Sequence, residues 1–143
     1  MTTVVYRDGV LAADRRITHG RYIDSDACNK LFRTPDGWIG AFCGGAAAGN
    51  AFGMWALGDR DKPAPKGNYT GILVSPKRTV YEFECGLPLG PLPKPRKNFF
   101  YAWGSGGPSA LGALHAGADA KKAVLIAQKV DSGSGGGADI LTI

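Results

Sequence analysis

The feature of this 143-residue sequence that most limits its fold is a repeated strand–turn–strand pattern. Aspartate–glycine and proline-containing turns between strand-like segments are typical of β-hairpins. Because a hairpin joins neighbouring strands antiparallel, the pattern predicts antiparallel sheets. Three segment pairs show it: 2–7 and 10–16 around Asp8-Gly9, 27–34 and 38–43 around Pro35-Asp36-Gly37, and 69–75 and 79–84 around Pro76-Lys77.

Helical segments are fewer and lie between and after these hairpins. Residues 45–57 suit a short helix, 108–116 can start one with proline in its first turn, and Asp119 is a candidate N-cap for another. Residues 59–67 predict a loop, 86–98 with four prolines an extended connector, and 99–103 and 138–143 two further strands. The expected architecture is α+β, with helices packed outside antiparallel sheets in a single domain over residues 1–143.

Composition excludes several classes of protein. Hydrophobic residues make up 44% and charged residues 20% of the chain, and no apolar run approaches the ~18 residues of a membrane span. The start has no signal-peptide layout, and the three cysteines form no C-x-x-C pair, so we expect a cytoplasmic protein without a membrane partner. The net charge is +5, but the basic residues are scattered, so nucleic acid is not an expected partner either.

Common metal, cofactor and nucleophile motifs are missing. His19 and His115 lie far apart without metal-ligand spacing, no G-x-S-x-G is present, and no His–Asn setting is evident for a cysteine nucleophile. Residues 133–138 fit G-x-G-x-x-A by letter, yet they follow a predicted helix and precede a predicted strand, the reverse of a dinucleotide fold. We therefore expect no metal and no cofactor.

The glycine clusters and the N-terminal threonine are the features that point to a functional site. Of the 143 residues 22 are glycine, about twice the usual ~7%, and they cluster at 44–45, 104–107 and 133–137, which indicates loops that converge on a site or simply tight turns. Met1 precedes Thr2, a small residue that normally permits methionine removal. Removal would place a hydroxyl nucleophile and a free α-amine base on one residue; if Met1 stays, this site is inactive.

The first hairpin decides whether a carboxylate lies beside Thr2. A three-residue loop over Arg7-Asp8-Gly9 would place Asp14 opposite Thr2, whereas a two-residue loop would place it opposite Thr3. The first alternative puts Asp14 next to the proposed nucleophile.

These residues occur within a series of short blocks that resembles proteasome β-subunits, and most closely the bacterial HslV-type threonine peptidases. The blocks follow the family's order along nearly the whole chain: Thr2 to Val5, Ala12 to Asp14, Cys28 to Leu31, Phe42 to Gly45, Trp103 to Pro108, and Asp131 to Gly136. The resemblance implies an N-terminal-nucleophile (Ntn) hydrolase fold, a four-layer αββα sandwich of two antiparallel sheets.

The resemblance also implies a role for individual residues. Thr2 would be the nucleophile, Lys30 would favour the unprotonated amine and the alkoxide, and Asp14 would hold Lys30 in place. Gly44 would offer its backbone N–H to the oxyanion. The amine and water would be oriented by Ser105, Asp131 and Ser134. The pocket for the residue before the cut bond would be lined by Ile17, Cys28, Phe32, Phe42 and Ala46, an apolar set that predicts cleavage after hydrophobic residues.

One region departs from the family. Its members carry two long helices after the Gly-Gly block, whereas residues 46–68 of this chain have room for one short helix and a loop, so one helical layer is expected to be trimmed. The family's ring assembly and ATPase unfoldase contacts use that region. We expect a peptidase acting on peptides or unfolded proteins as a homo-oligomeric ring. The alternatives are an Ntn amide hydrolase with a small substrate, or a catalytically silent scaffold on the same fold.

Overall fold

The computed structural model describes residues 2–93 and 100–143, which form two large antiparallel sheets, a small hairpin and three helices. The strands are β1 (Thr3–Arg7), β2 (Val10–Asp14), β3 (Ile17–His19), β4 (Tyr22–Ser25), β5 (Leu31–Arg33), β6 (Ile39–Gly44), β7 (Tyr69–Val74), β8 (Val80–Glu84), β9 (Leu87–Pro91), β10 (Phe100–Gly104) and β11 (Ala138–Thr142). The helices are α1 (Ala46–Leu57), α2 (Gly107–His115) and α3 (Ala120–Gln128).

The first sheet has the strand order β10-β1-β2-β11 and the second the order β5-β6-β7-β8-β9. Alternation of side chains along β1 explains how the first sheet is covered on both faces. Val4 and Tyr6 point toward the second sheet, whereas Val5 packs against α2 and α3. The main core therefore lies between the two sheets.

Helix α1 covers the outer face of the second sheet. Its Phe52 is fully buried and packs with Phe42 and Tyr69 from β6 and β7. The layers are thus α2 and α3, the first sheet, the second sheet, and α1. This confirms the expected α+β fold of two antiparallel sheets between helical layers. Between β6 and β7 the chain has the single helix α1, as expected, where members of the family carry two long helices.

The first hairpin has the shorter of the two loops considered. Val4 pairs with Ala13 and Arg7 with Val10, so the turn consists of Asp8 and Gly9 alone, at φ 50° and 83°. Two successive residues with positive φ are typical of a type I′ turn, whose twist matches that of the flanking strands. The register that would set Asp14 directly opposite Thr2 is therefore wrong.

Several element boundaries also differ from the expectations. The β3–β4 hairpin was not predicted, and the second hairpin's first strand is the short β5 rather than all of 27–34. The proline-rich connector contains β9, which pairs with β8; its residues 94–98, like Phe99 of the predicted strand 99–103, lie outside the described residues. No helix in residues 2–93 and 100–143 has the length and hydropathy needed to cross a bilayer.

Candidate active site

A buried ion pair between β2 and the segment before β5 forms the centre of the site. Lys30 Nζ donates to Asp14 Oδ1 at 2.8 Å, and the two side chains are 3% and 0% exposed. Asp14 ends β2, and its carboxylate also accepts from the backbone N–H groups of Thr3, Arg16 and Gly135 at 3.0, 3.1 and 3.0 Å. These hydrogen bonds offset the free-energy cost of removing the carboxylate from water. The buried carboxylate can therefore hold the Lys30 ammonium in a fixed position.

Thr2 lies directly against that ammonium. Lys30 Nζ donates to Thr2 Oγ1 at 2.9 Å and to the carbonyl oxygen of Arg16 at 2.6 Å. Thr2 is 3% exposed and precedes β1, whose pairing with β2 and β10 fixes the direction of the chain at this point. Asp14 thus reaches Thr2 through Lys30 rather than as a cross-strand neighbour.

A hydroxyl–carboxylate network lies on the other side of β1. Ser105 Oγ and Ser134 Oγ both donate to Asp131 Oδ2, at 2.7 and 2.6 Å. Because the proton of Ser134 is directed to Asp131, Thr3 Oγ1 is the donor in its 2.6 Å contact with Ser134 Oγ. Partial burial acts to raise the pKa of Asp131, but the hydrogen bonds from Ser105, Ser134 and the N–H of Gly133 outweigh it and hold that pKa below its usual value.

Thr2 opens onto two cavities. One of about 280 Å³ is lined by Thr2, Lys30 and Gly44 together with residues of the β3–β4 hairpin. The other, of about 230 Å³, is lined by Thr2, Gly44 and Ser105 among others. Thr2 therefore borders two separate cavities.

At two glycines beside Thr2, Gly44 and Gly104, the backbone lies too close to a neighbouring segment to leave room for a side chain. Gly44 has φ +105°, and a Cβ there would lie 2.8 Å from the carbonyl oxygen of Asn68. Gly104 has φ +89°, and a Cβ there would lie 1.9 Å from the carbonyl oxygen of Thr2. Side chains at these positions would displace the backbone that carries Thr2 and the wall beside it.

The structure brings together most of the residues that the sequence singled out. Thr2, Asp14, Lys30 and Gly44 meet at one end of the sandwich, and the 280 Å³ cavity includes Ile17, Cys28, Phe42 and Ala46. Phe32 does not line this cavity. Its ring lies on the same face of the second sheet as Phe42, but farther along α1, where it packs edge-on to that of Phe52 at 6.1 Å.

Sequence reasoning missed the polar part of the cavity. Thr18, His19 and Asp24 come from the β3–β4 hairpin and line it with Arg16. Gly20, at φ 60° between two short segments, is the turn signal that could have revealed this hairpin.

The two cysteines nearest the site are poor nucleophiles. Burial raises the pKa of the Cys43 thiol to about 11 and also raises that of the Cys28 thiol, although Lys30 acts in the opposite direction. A thiolate is the reactive form of cysteine, so a raised pKa disfavours both thiols as nucleophiles. Within residues 2–93 and 100–143, no group of three His, Cys, Asp or Glu side chains could hold a metal ion.

The two-sheet sandwich with its outer helices is the fold of the Ntn hydrolases. Eukaryotic HslV from Trypanosoma brucei is similar over 98% of this chain and 97% of its own, with a TM-score of 0.68 and 22% identity. BPH of Thiobacillus denitrificans in complex with epoxomicin is similar over 99% of this chain and 97% of its own, with a TM-score of 0.67 and 21% identity. A further structure of BPH is similar over 99% of this chain and 96% of its own, with a TM-score of 0.67 and 21% identity.

These similarities cover nearly the full length of both chains, so this protein has the fold of HslV-type peptidases. They confirm the fold that the sequence blocks implied. No family model and no curated protein matches the sequence.

Proposed function

We propose that this protein is a threonine-type peptidase that hydrolyses peptide bonds through an acyl-enzyme. The observation that supports it best is the buried contact of Thr2 Oγ1 with Lys30 Nζ, at 2.9 Å, with Asp14 at 2.8 Å behind the ammonium. A cation beside a hydroxyl stabilises the alkoxide that forms as the hydroxyl loses its proton. The two cavities next to Thr2 give a peptide room on either side of the reacting carbonyl.

The reaction requires removal of Met1, which leaves the α-amine on Thr2. An α-amine has a reference pKa of about 7.7–8.0, so near neutral pH it can take the hydroxyl proton. Oγ1 then attacks the carbonyl carbon, and the backbone N–H of Gly44 stabilises the resulting oxyanion. The intermediate collapses as the leaving amine takes the proton from the α-ammonium, which leaves an ester on Thr2. Water, deprotonated by the same amine, hydrolyses this ester and releases the acid.

The network of Ser105, Ser134 and Asp131 would orient the amine and the water. It is anchored to β1 through Thr3 Oγ1 and reaches the 230 Å³ cavity through Ser105. Because both serine protons go to the Asp131 carboxylate, Ser105 Oγ is left able to accept a hydrogen bond beside the 230 Å³ cavity. A newly formed ammonium on Thr2 would find acceptors there.

We also propose that the protein assembles as a homo-oligomer. Helix α1 carries no charged residue, yet Met54 is 75% and Leu57 47% exposed. A helix that is apolar all round is usually buried, so a second copy would complete the layer that one helix leaves incomplete. Light scattering at several concentrations tests this, and a strict monomer would contradict it.

Intact mass and peptide turnover together test the catalytic proposal. The native protein should be lighter than its sequence by one methionine and should cleave a peptide library. Thr2→Ala should abolish cleavage and Thr2→Ser should retain part of it, because serine keeps the hydroxyl. Epoxomicin, which is bound in the BPH complex, should raise the melting temperature of the wild type and not that of Thr2→Ala. Retention of Met1, or equal cleavage by Thr2→Ala, would refute the mechanism.

A further inference from the structure

The cavity beside Thr2 combines an apolar wall with a polar rim. Its wall includes Ile17, Cys28, Phe42 and Ala46, which alone would favour a hydrophobic side chain. Its rim comes from the β3–β4 hairpin, where Asp24 lies on an exposed strand and lines the same cavity.

Charges at this cavity nearly cancel in pairs. The ammonium of Lys30 is matched by Asp14 at 2.8 Å. The guanidinium of Arg16 is matched by Asp26, which it contacts at 2.8 and 3.1 Å through two nitrogens. The net charge of each pair is zero, so neither pair makes the cavity favour a cationic or an anionic ligand group.

Asp24 has no such counterpart. Among the residues that the structure describes, none forms a hydrogen bond or an ion pair with its carboxylate. The remaining titratable residue of the rim, His19, stacks on Tyr22 at 5.5 Å between ring centroids. Apart from His19, the charged groups that line the cavity therefore leave one uncompensated negative charge, on Asp24.

We propose that Asp24 is a specificity-determining residue that selects a substrate side chain with an apolar stem and a cationic end. This inference rests on the proposed peptidase function. Lysine fits the arrangement because its methylene stem packs along apolar surface while its ammonium stays at the wet end. The ammonium meets the Asp24 carboxylate at the rim, whereas an acidic side chain would be repelled there.

The test compares two substrates that differ only in the charge. Fluorogenic peptide amides with lysine or norleucine before the scissile bond share the same stem, and norleucine lacks the ammonium. At pH 8 and low salt, the wild type should prefer lysine about tenfold in kcat/KM, the scale of a charge-assisted hydrogen bond. Asp24→Asn should bring the ratio near one by lowering turnover of the lysine peptide alone, and Asp24→Glu should keep most of the preference. Asp61→Asn, the same change on an exposed residue outside this cavity, should leave the ratio unchanged.

Binding measured without turnover separates this inference from the catalytic proposal. The two peptides are titrated against Thr2→Ala and Thr2→Ala/Asp24→Asn by fluorescence anisotropy. A preference for lysine that disappears with Asp24 supports the inference even if the wild type cleaves neither peptide, a result that would refute the peptidase function alone. Equal affinities in Thr2→Ala, no binding of either peptide, or a ratio that Asp61→Asn lowers as much as Asp24→Asn does, would overturn it.

Discussion

Lys30 Nζ lies 2.9 Å from Thr2 Oγ1 and 2.8 Å from Asp14 Oδ1, so a single buried ammonium joins a hydroxyl to a carboxylate. The same ammonium also donates to the carbonyl oxygen of Arg16 at 2.6 Å. Hydrogen bonds to these acceptors fix the position of the ammonium. We therefore expect a change to this ammonium to alter both the stability of the fold and the proposed reactivity of Thr2.

Lys30→Met should lower both the free energy of unfolding and the rate of peptide cleavage. It removes the charge beside Thr2 and leaves the Asp14 carboxylate buried without a cation, a loss on the order of 3 kcal/mol in the free energy of unfolding. Urea denaturation measures the loss, and peptide turnover should fall to background. Lys62→Met, which removes an exposed cation 3.8 Å from Asp59, should leave both nearly unchanged. Full turnover by Lys30→Met would exclude a role for the ammonium in the reaction.

Asp131 should make the fold sensitive to acid. Its folded-state pKa is lowered, so its contribution to stability is present above the unfolded pKa of about 3.9 and is lost as the pH falls through the folded value. Asp131→Asn should therefore be less stable than the wild type at pH 7, and the gap should narrow as the pH falls below about 4. Urea midpoints from pH 7 to pH 2 measure this. Asp36, whose pKa is lowered to about 2 by Arg60 and Thr34, titrates in the same window but is common to both proteins, so the difference isolates Asp131.

The turn signals in the sequence were sufficient to predict the main hairpins but not their register. Asp8 and Gly9 both adopt positive φ, which makes a two-residue turn. Aspartate also adopts negative φ, so the same residues are compatible with a three-residue loop in which Gly9 alone has positive φ. Asp14 nevertheless reaches Thr2, because the long Lys30 side chain crosses from the second sheet.

Two features of the site were not predicted, for different physical reasons. The β3–β4 hairpin is mostly exposed, so no alternation of apolar and polar residues marks its strands. Phe32 lies on β5, a strand of three residues in which Leu31 is buried and neighbouring side chains point to opposite faces. The ring of Phe32 lies on the same face as that of Phe42 but packs against Phe52 instead of lining the cavity, and a strand of three residues does not show this.

Gly112→Ala should stabilise the protein. Gly112 lies in α2, is exposed, and an added Cβ would have nothing within 4 Å. Alanine in a helix interior is favoured over glycine by about 0.5–1 kcal/mol, since the unfolded chain loses less freedom on folding. Thermal unfolding measures the gain. Gly49→Ala is the matched contrast in α1, where the Cβ would lie 2.0 Å from the ring of Phe42, and it should be destabilising. A stabilising Gly49→Ala would contradict the packing of α1 on β6.

Gly44→Ala should separate catalysis from folding at the cavity wall. At φ +105° the new Cβ would meet the Asn68 carbonyl oxygen and Tyr69 Cα, both at 2.8 Å, so the backbone must move. Such a shift displaces the N–H proposed for the oxyanion, and the loss of one such donor typically lowers kcat by about 100-fold or more. Gly90→Ala, at φ +79° with nothing within 4 Å of the Cβ, introduces similar backbone strain away from Thr2. If both variants are folded by circular dichroism and only Gly44→Ala loses kcat, the N–H acts in the reaction; equal losses would show that strain alone is responsible.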